Sequence, residues 1–139
     1  MISATEVNKM LFHDKIKVKC DDWIKKLEKT IIDNADKHKC MLCRYKRYDS
    51  VNSKYDKDLE FDELCFAIGS DCLTNEGYCQ NDIIRAGQYI YDTIYDAGYK
   101  MKTTCVKSEK IYDNGDENPK DARKEPVGIY DDFEILIMW

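Results

Sequence analysis

Between Asn81 and Val106 the apolar residues change their spacing, and that change limits what the chain can build. Ile83, Gly87, Ile90 and Ile94 recur at helical spacing, with Ile84, Tyr91 and Tyr95 widening the stripe. Asn81 reads as the N-cap, and Asp82 as a first-turn acid favoured by the helix dipole. Ala97-Gly98 stops the helix, because glycine accepts the left-handed conformation that ends one. Tyr99, Met101, Thr103 and Cys105 then alternate with Lys100, Lys102 and Thr104, the period of a half-exposed strand. An amphipathic helix turning straight into such a strand implies a helix packed on a sheet.

The remaining elements follow the same two periods. Ser3 and Glu6 have capping-box spacing ahead of a short face of Val7, Met10 and Leu11. Ile16, Cys20, Trp23, Ile24, Leu27, Ile31 and Ala35 share one face of a helix over about 15–37, with lysines on its other sides. Asp14 and Asp21-Asp22 are alternative starts, so the pattern leaves open whether this is one helix or two. Residues 39–48 alternate as a strand, with Met41, Cys43 and Tyr45 on one face and Leu42, Arg44 and Lys46 on the other. Over 59–69, Phe61, Leu64, Cys65 and Ile68 fit a helix, whereas Leu64, Phe66 and Ile68 fit a buried strand bounded by Gly69-Ser70; the acidic start favours the helix. Residues 71–80, with Gly77 inside, read as a connection. In 129–139, Phe133, Ile135, Ile137 and Trp139 face one way and Leu136 and Met138 the other. That pattern predicts a central strand covered on both sides, antiparallel to 99–106. The expected fold is α+β: one compact domain over 1–139, two main amphipathic helices on a small, mostly antiparallel sheet. A long polar loop or hairpin extension spans about 107–128, with Asn114-Gly115, Pro119 and Pro126 as turn markers.

Several chemistries find no motif. No apolar run approaches the roughly 20 residues of a spanning helix, and the first residues lack the basic start and apolar run of a signal peptide. A cytoplasmic location without a membrane partner is therefore expected. In that compartment the seven cysteines read as buried thiols, not as a disulfide framework. Cys40 and Cys43 form a Cys-x-x-Cys that, with two of His38, Cys65, Cys72 and Cys79, has the makings of a zinc-stabilised adaptor. A regular strand, however, sends Cys40 and Cys43 to opposite faces, so no metal or other cofactor is expected. A redox pair belongs at a helix N-terminus after a strand, and this one follows a helix. The 113–118 segment lacks the alternate ligands and distal glutamate of a calcium loop. Phosphate-loop, zinc-protease and nucleophile-elbow signatures are all missing, and the expectation is a non-enzymatic protein.

Charge is what remains, and it is uneven. Residues 1–48 carry 12 Lys/Arg against 7 Asp/Glu, residues 49–76 carry 2 against 8, and the chain as a whole is −5. Two acidic clusters stand out: Asp56, Asp58, Glu60, Asp62 and Glu63, and Asp113, Asp116, Glu117 and Asp121. Acids sharing a face steer a basic partner, for example a protein that itself binds nucleic acid. The leading expectation is thus a protein-binding accessory or inhibitor module. Its composition suits the small accessory proteins of phages and mobile elements, including anti-defence and anti-CRISPR inhibitors. The alternative rests on Arg44, Tyr45, Lys46, Arg47 and Tyr48, which interleave cations for phosphates with rings for bases, and so outline a nucleic-acid-binding strand.

Overall fold

The computed structural model describes residues 1–50, 58–74, 77–112 and 126–139, without the side chains of residues 8, 9, 11–13 and 50. Three long helices pack on a three-stranded antiparallel sheet, an α+β arrangement. Helix α1 is Ala4–Asp33, strand β1 is Lys39–Ser50, helices α2 and α3 are Phe61–Leu73 and Gln80–Asp96, and strands β2 and β3 are Lys100–Ile111 and Gly128–Met138.

The two N-terminal helical patterns are one helix. Ser3 caps it, accepting from the Glu6 amide at 3.1 Å while the Glu6 carboxylate takes the Ser3 amide. Among the described side chains of α1, Ile16, Cys20, Leu27 and Ile31 enter the core. His38, with φ of 58°, reverses the chain into β1, and its carbonyl accepts from the Trp139 amide at 3.1 Å. The indole of Trp139 donates to the Ala35 carbonyl at 3.3 Å, tying the end of β3 to the same corner.

The ambiguous 59–69 segment is α2, which makes a third long helix where two were expected. Its pairing with α3 rests on two glycines. A Cβ on Gly69 would lie 1.9 Å from the Ile83 carbonyl oxygen, and one on Gly87 1.6 Å from that of Cys65. The two backbones touch there, so Gly69 sits within a helix and does not bound a strand. Helix α3 starts two residues earlier than expected, with Cys79 as N-cap and Asn81 inside the first turn. Its end is where the sequence put it: Gly98 has φ of 92°, and β2 follows directly.

The sheet order is β1-β3-β2, with β3 central and antiparallel to both neighbours. Phe133, Ile135 and Ile137 of β3 are buried, and Ile135 and Ile137 join Ala67, Ile68, Ala86, Ile90 and Ile94 of α2 and α3 in the core. Each buried isoleucine or phenylalanine here contributes roughly 1.5–3 kcal/mol. The expectation that β3 is covered on both sides needs correction, since Leu136 and Met138 on the second face stay half-buried among exposed neighbours. The faces of β1 also need correction. A bulge between Met41 and Cys43 shifts the register, so Cys40, Leu42 and Cys43 all turn inward while Met41 is exposed. Strand β2 has a similar shift between Cys105 and Lys107, which leaves Val106 exposed.

Candidate interaction surfaces

Period-two alternation, resumed after the bulge, divides the basic strand between two environments. Arg44, Lys46 and Tyr48 point to the open face of the sheet, with β3 partners Glu134, Asp132 and Tyr130. Arg44 pairs with Glu134 at 2.9 Å. Tyr45, half-buried, and Arg47, buried, point inward, away from the open face. Tyr45 meets Phe66 edge-on at 6.4 Å. Burial pushes the Tyr45 phenol up, with the nearby Glu63 adding to the shift.

Arg47 is the centre of a buried ionic group. It is 6% exposed, pairs with Asp49 at 3.0 Å, Glu63 at 3.4 Å and Asp131 at 3.7 Å, and donates to the Asp58 carbonyl at 3.0 Å. Its guanidinium also lies 4.9 Å from the centre of the Phe133 ring. Burial works against the charge, but Asp49 and Glu63 outweigh it and hold the Arg47 pKa above its ordinary value. Asp131 is buried as well and accepts from the Ser108 hydroxyl at 2.6 Å. Such a group fixes β1, β3 and the start of α2 relative to one another.

The acidic candidates scatter. Asp56, Asp113, Asp116, Glu117 and Asp121 lie outside the described residues. Glu63 is committed to Arg47 and to the Glu60 amide of the α2 capping box. Asp58 and Asp62 are exposed. Asp62 has companions that the clusters in sequence did not reveal. Helices α2 and α3 together carry six carboxylates and one cation, Arg85. Asp62 and Asp92, one from each helix, both act on Cys65, whose thiol is pushed up to about 11, by burial first and by these carboxylates second.

A ladder of rings runs across this acidic helix pair. Phe61 meets Tyr91 edge-on at 5.0 Å, and Tyr91 stacks on Tyr95 at 6.2 Å with planes 9° apart. Phe61 is 47% exposed and Tyr95 65%, so Tyr95 does not widen the core stripe as its spacing suggested. Asp62, Asp92 and Asp96, each next in sequence to one of these rings, are exposed. The readable signal was the four-residue step from Tyr91 to Tyr95, which puts both on one helical face.

The thiols are all unpaired as disulfides. The β1 bulge removes the geometric objection to joint use of Cys40 and Cys43. Even so, no group of three or more His, Cys, Asp or Glu able to hold a metal ion occurs among the described residues. Cys43 is pushed up to about 12 by burial and by Asp71, which keeps it a neutral packing group. The Cys20 thiol donates to the Ala86 carbonyl at 3.8 Å; its proximity to Cys72, between α1 and α2, raises the Cys20 thiol and lowers that of Cys72. No helix of the described residues is long and apolar enough to cross a membrane. Compared with known proteins, the chain matches no family model, no curated protein and no solved structure.

Proposed function

We propose that this protein is a non-enzymatic binding module that takes a basic segment of a protein partner on the α2–α3 face. The observation that carries the reading is the exposed ladder Phe61–Tyr91–Tyr95 set among Asp62, Asp92 and Asp96. Aromatic anchors with a charged rim are the usual makings of a protein interface. A ring face attracts a cation, and a neighbouring carboxylate completes the recognition of arginine or lysine. Proteins that bind nucleic acid are rich in such segments, which makes them the natural partner class. The carboxylates at Asp113, Asp116, Glu117 and Asp121 belong to the proposal as a second source of steering, and occupancy of the partner's basic surface would make the module an inhibitor.

The test is biolayer interferometry against an immobilised arginine-rich peptide of 15 residues, about four turns if helical. Phe61→Ala and Tyr95→Ala should each weaken binding by about tenfold, mainly through the off-rate. Asp62→Asn with Asp92→Asn and Asp96→Asn should slow association, as should neutralising Asp113, Asp116, Glu117 and Asp121. Indifference of the peptide to the ring and helix-acid variants alike would refute the reading of this face.

A further inference from the structure

The sheet has a second surface of opposite sign. In a chain of net charge −5, the open face of the sheet carries six cations and three carboxylates. The cations form two rails. Lys39, Arg44 and Lys46 run along β1, and Lys100, Lys102 and Lys107 along β2. The carboxylates Asp132 and Glu134 lie on β3 between them, and Glu109 lies beside Lys107. Glu134 is taken by Arg44 and Glu109 by Lys107. Among the described residues no carboxylate comes within ion-pair distance of Lys39, Lys46, Lys100 or Lys102. At one end of the rails Tyr48 and Tyr130 meet at 5.4 Å, 56% and 44% exposed. Beside them Lys46, Lys107 and Tyr130 line a depression of about 320 Å³ together with Glu109 and Asp132.

We infer that the open face of the sheet binds single-stranded nucleic acid, with the lysines of β1 and β2 on phosphates and Tyr48 and Tyr130 under bases. Three properties select this occupant. The two rails stand about 10 Å apart, two strand spacings, and Lys100 and Lys102 are about 6.7 Å apart along β2. The step along β2 is comparable to the separation of successive phosphates in an extended strand. The surface is the open face of a sheet, not a projecting helix fitted to a duplex groove, and its exposed rings stack only on bases that are unpaired. The central carboxylates keep the face from attracting anions at every point, so the phosphates follow the rails. This surface is on the other side of the molecule's sheet from the helices and does not depend on the protein-binding reading of α2–α3.

The test is fluorescence anisotropy with a 5′-fluorescein-labelled 20-nucleotide oligo(dT) at 50 mM NaCl, where half-saturation on the order of 10 µM is expected. If about four phosphates are neutralised, raising the salt to 200 mM should weaken binding about 50-fold. Lys46→Gln, Lys100→Gln, Lys102→Gln and Lys107→Gln together should flatten the logarithmic salt slope by roughly three. Tyr48→Ala and Tyr130→Ala should each cost about tenfold while leaving that slope alone. Lys25→Gln, Lys26→Gln and Lys29→Gln on exposed positions of α1 should change nothing. All of these side chains lie at the surface, and circular dichroism with a denaturant midpoint checks that each variant is folded. Four results would overturn the inference: no anisotropy change at 100 µM protein, about tenfold above the expected midpoint; equal loss from the α1 variants; binding of phosphatidylserine vesicles without binding of the oligonucleotide; or a concentration-dependent dimer in sedimentation that the four-lysine variant abolishes.

Discussion

Along β3, Phe133, Ile135 and Ile137 are sealed from solvent while Asp132, Glu134, Leu136 and Met138, one position away each time, remain half-buried. Helices cover only the first set. Packing therefore decides one side of the sheet, where shape and volume are constrained by α2, α3 and the bulged β1. Charge and local pairing decide the other, where side chains answer to solvent and to their cross-strand neighbours. A three-stranded sheet with helices on one side has half its side chains free for recognition, and here those side chains reverse the sign of the molecule's net charge.

The comparison is sharpest for the two arginines of β1. Arg47→Met leaves Asp131, Asp49 and Glu63 without their shared cation in a buried site and should destabilise the protein by about 4 kcal/mol. Arg44→Met, three residues earlier and outward, should cost less than about 1 kcal/mol, because its pair with Glu134 is solvent-screened. Urea midpoints for the two variants give the ratio directly, and equal midpoints would erase the distinction between the faces. Next in size is the pair Ile135→Ala, at about 3 kcal/mol, against Leu136→Ala, at about 1 kcal/mol. The third contrast is one of pH and is read over the single unit from pH 9 to 10. Burial holds the inward thiols of Cys43 and Cys65 up to about 12 and about 11, against the 9.0 at which unfolded thiols ionise. Raised folded pKa values mean that this stabilisation is complete below pH 9 and is lost as pH rises toward 11 and 12. The loss should approach about 1.4 kcal/mol per pH unit for each thiol, and Cys65→Ala should remove its share of the slope between pH 9 and 10.

Much of the fold could be read from spacing alone. Gly98, the capping box at Ser3 and the alternation of β2 each have a local physical cause, and each is present in the structure. What escaped the sequence depends on contacts between distant elements. The continuity of α1 escaped because Val7 and Met10 stay exposed and, among the described side chains, the buried face starts at Ile16. The helix favoured over 59–69 is present as α2, but the reason for Gly69 within it, the Ile83 carbonyl, belongs to another helix and has no local signal. The bulge that turns both Cys40 and Cys43 inward has no marker in the residues themselves. For the surfaces, the cations of β1 were visible, but Lys100, Lys102 and Lys107 join them only through the pairing of both strands with β3. The Phe61–Tyr91 contact likewise exists only once α2 lies along α3.

The strand order has a consequence in time. Neighbours in the sheet are distant in the chain: β1 closes at Ser50, and its partner β3 is complete only at Met138. At a synthesis rate of 5–20 residues per second, roughly 90 residues of delay mean that β1 waits about 4–18 s for its first hydrogen-bonded neighbour. During that interval β1 is a lone strand with both edges unpaired, and so is β2 once it emerges. The bulge and the lysines along both strands work against premature edge-to-edge pairing. A ribosome-bound nascent chain halted before Gly128 should therefore be helical but sheetless, and vulnerable to aggregation until the third strand arrives to join the other two.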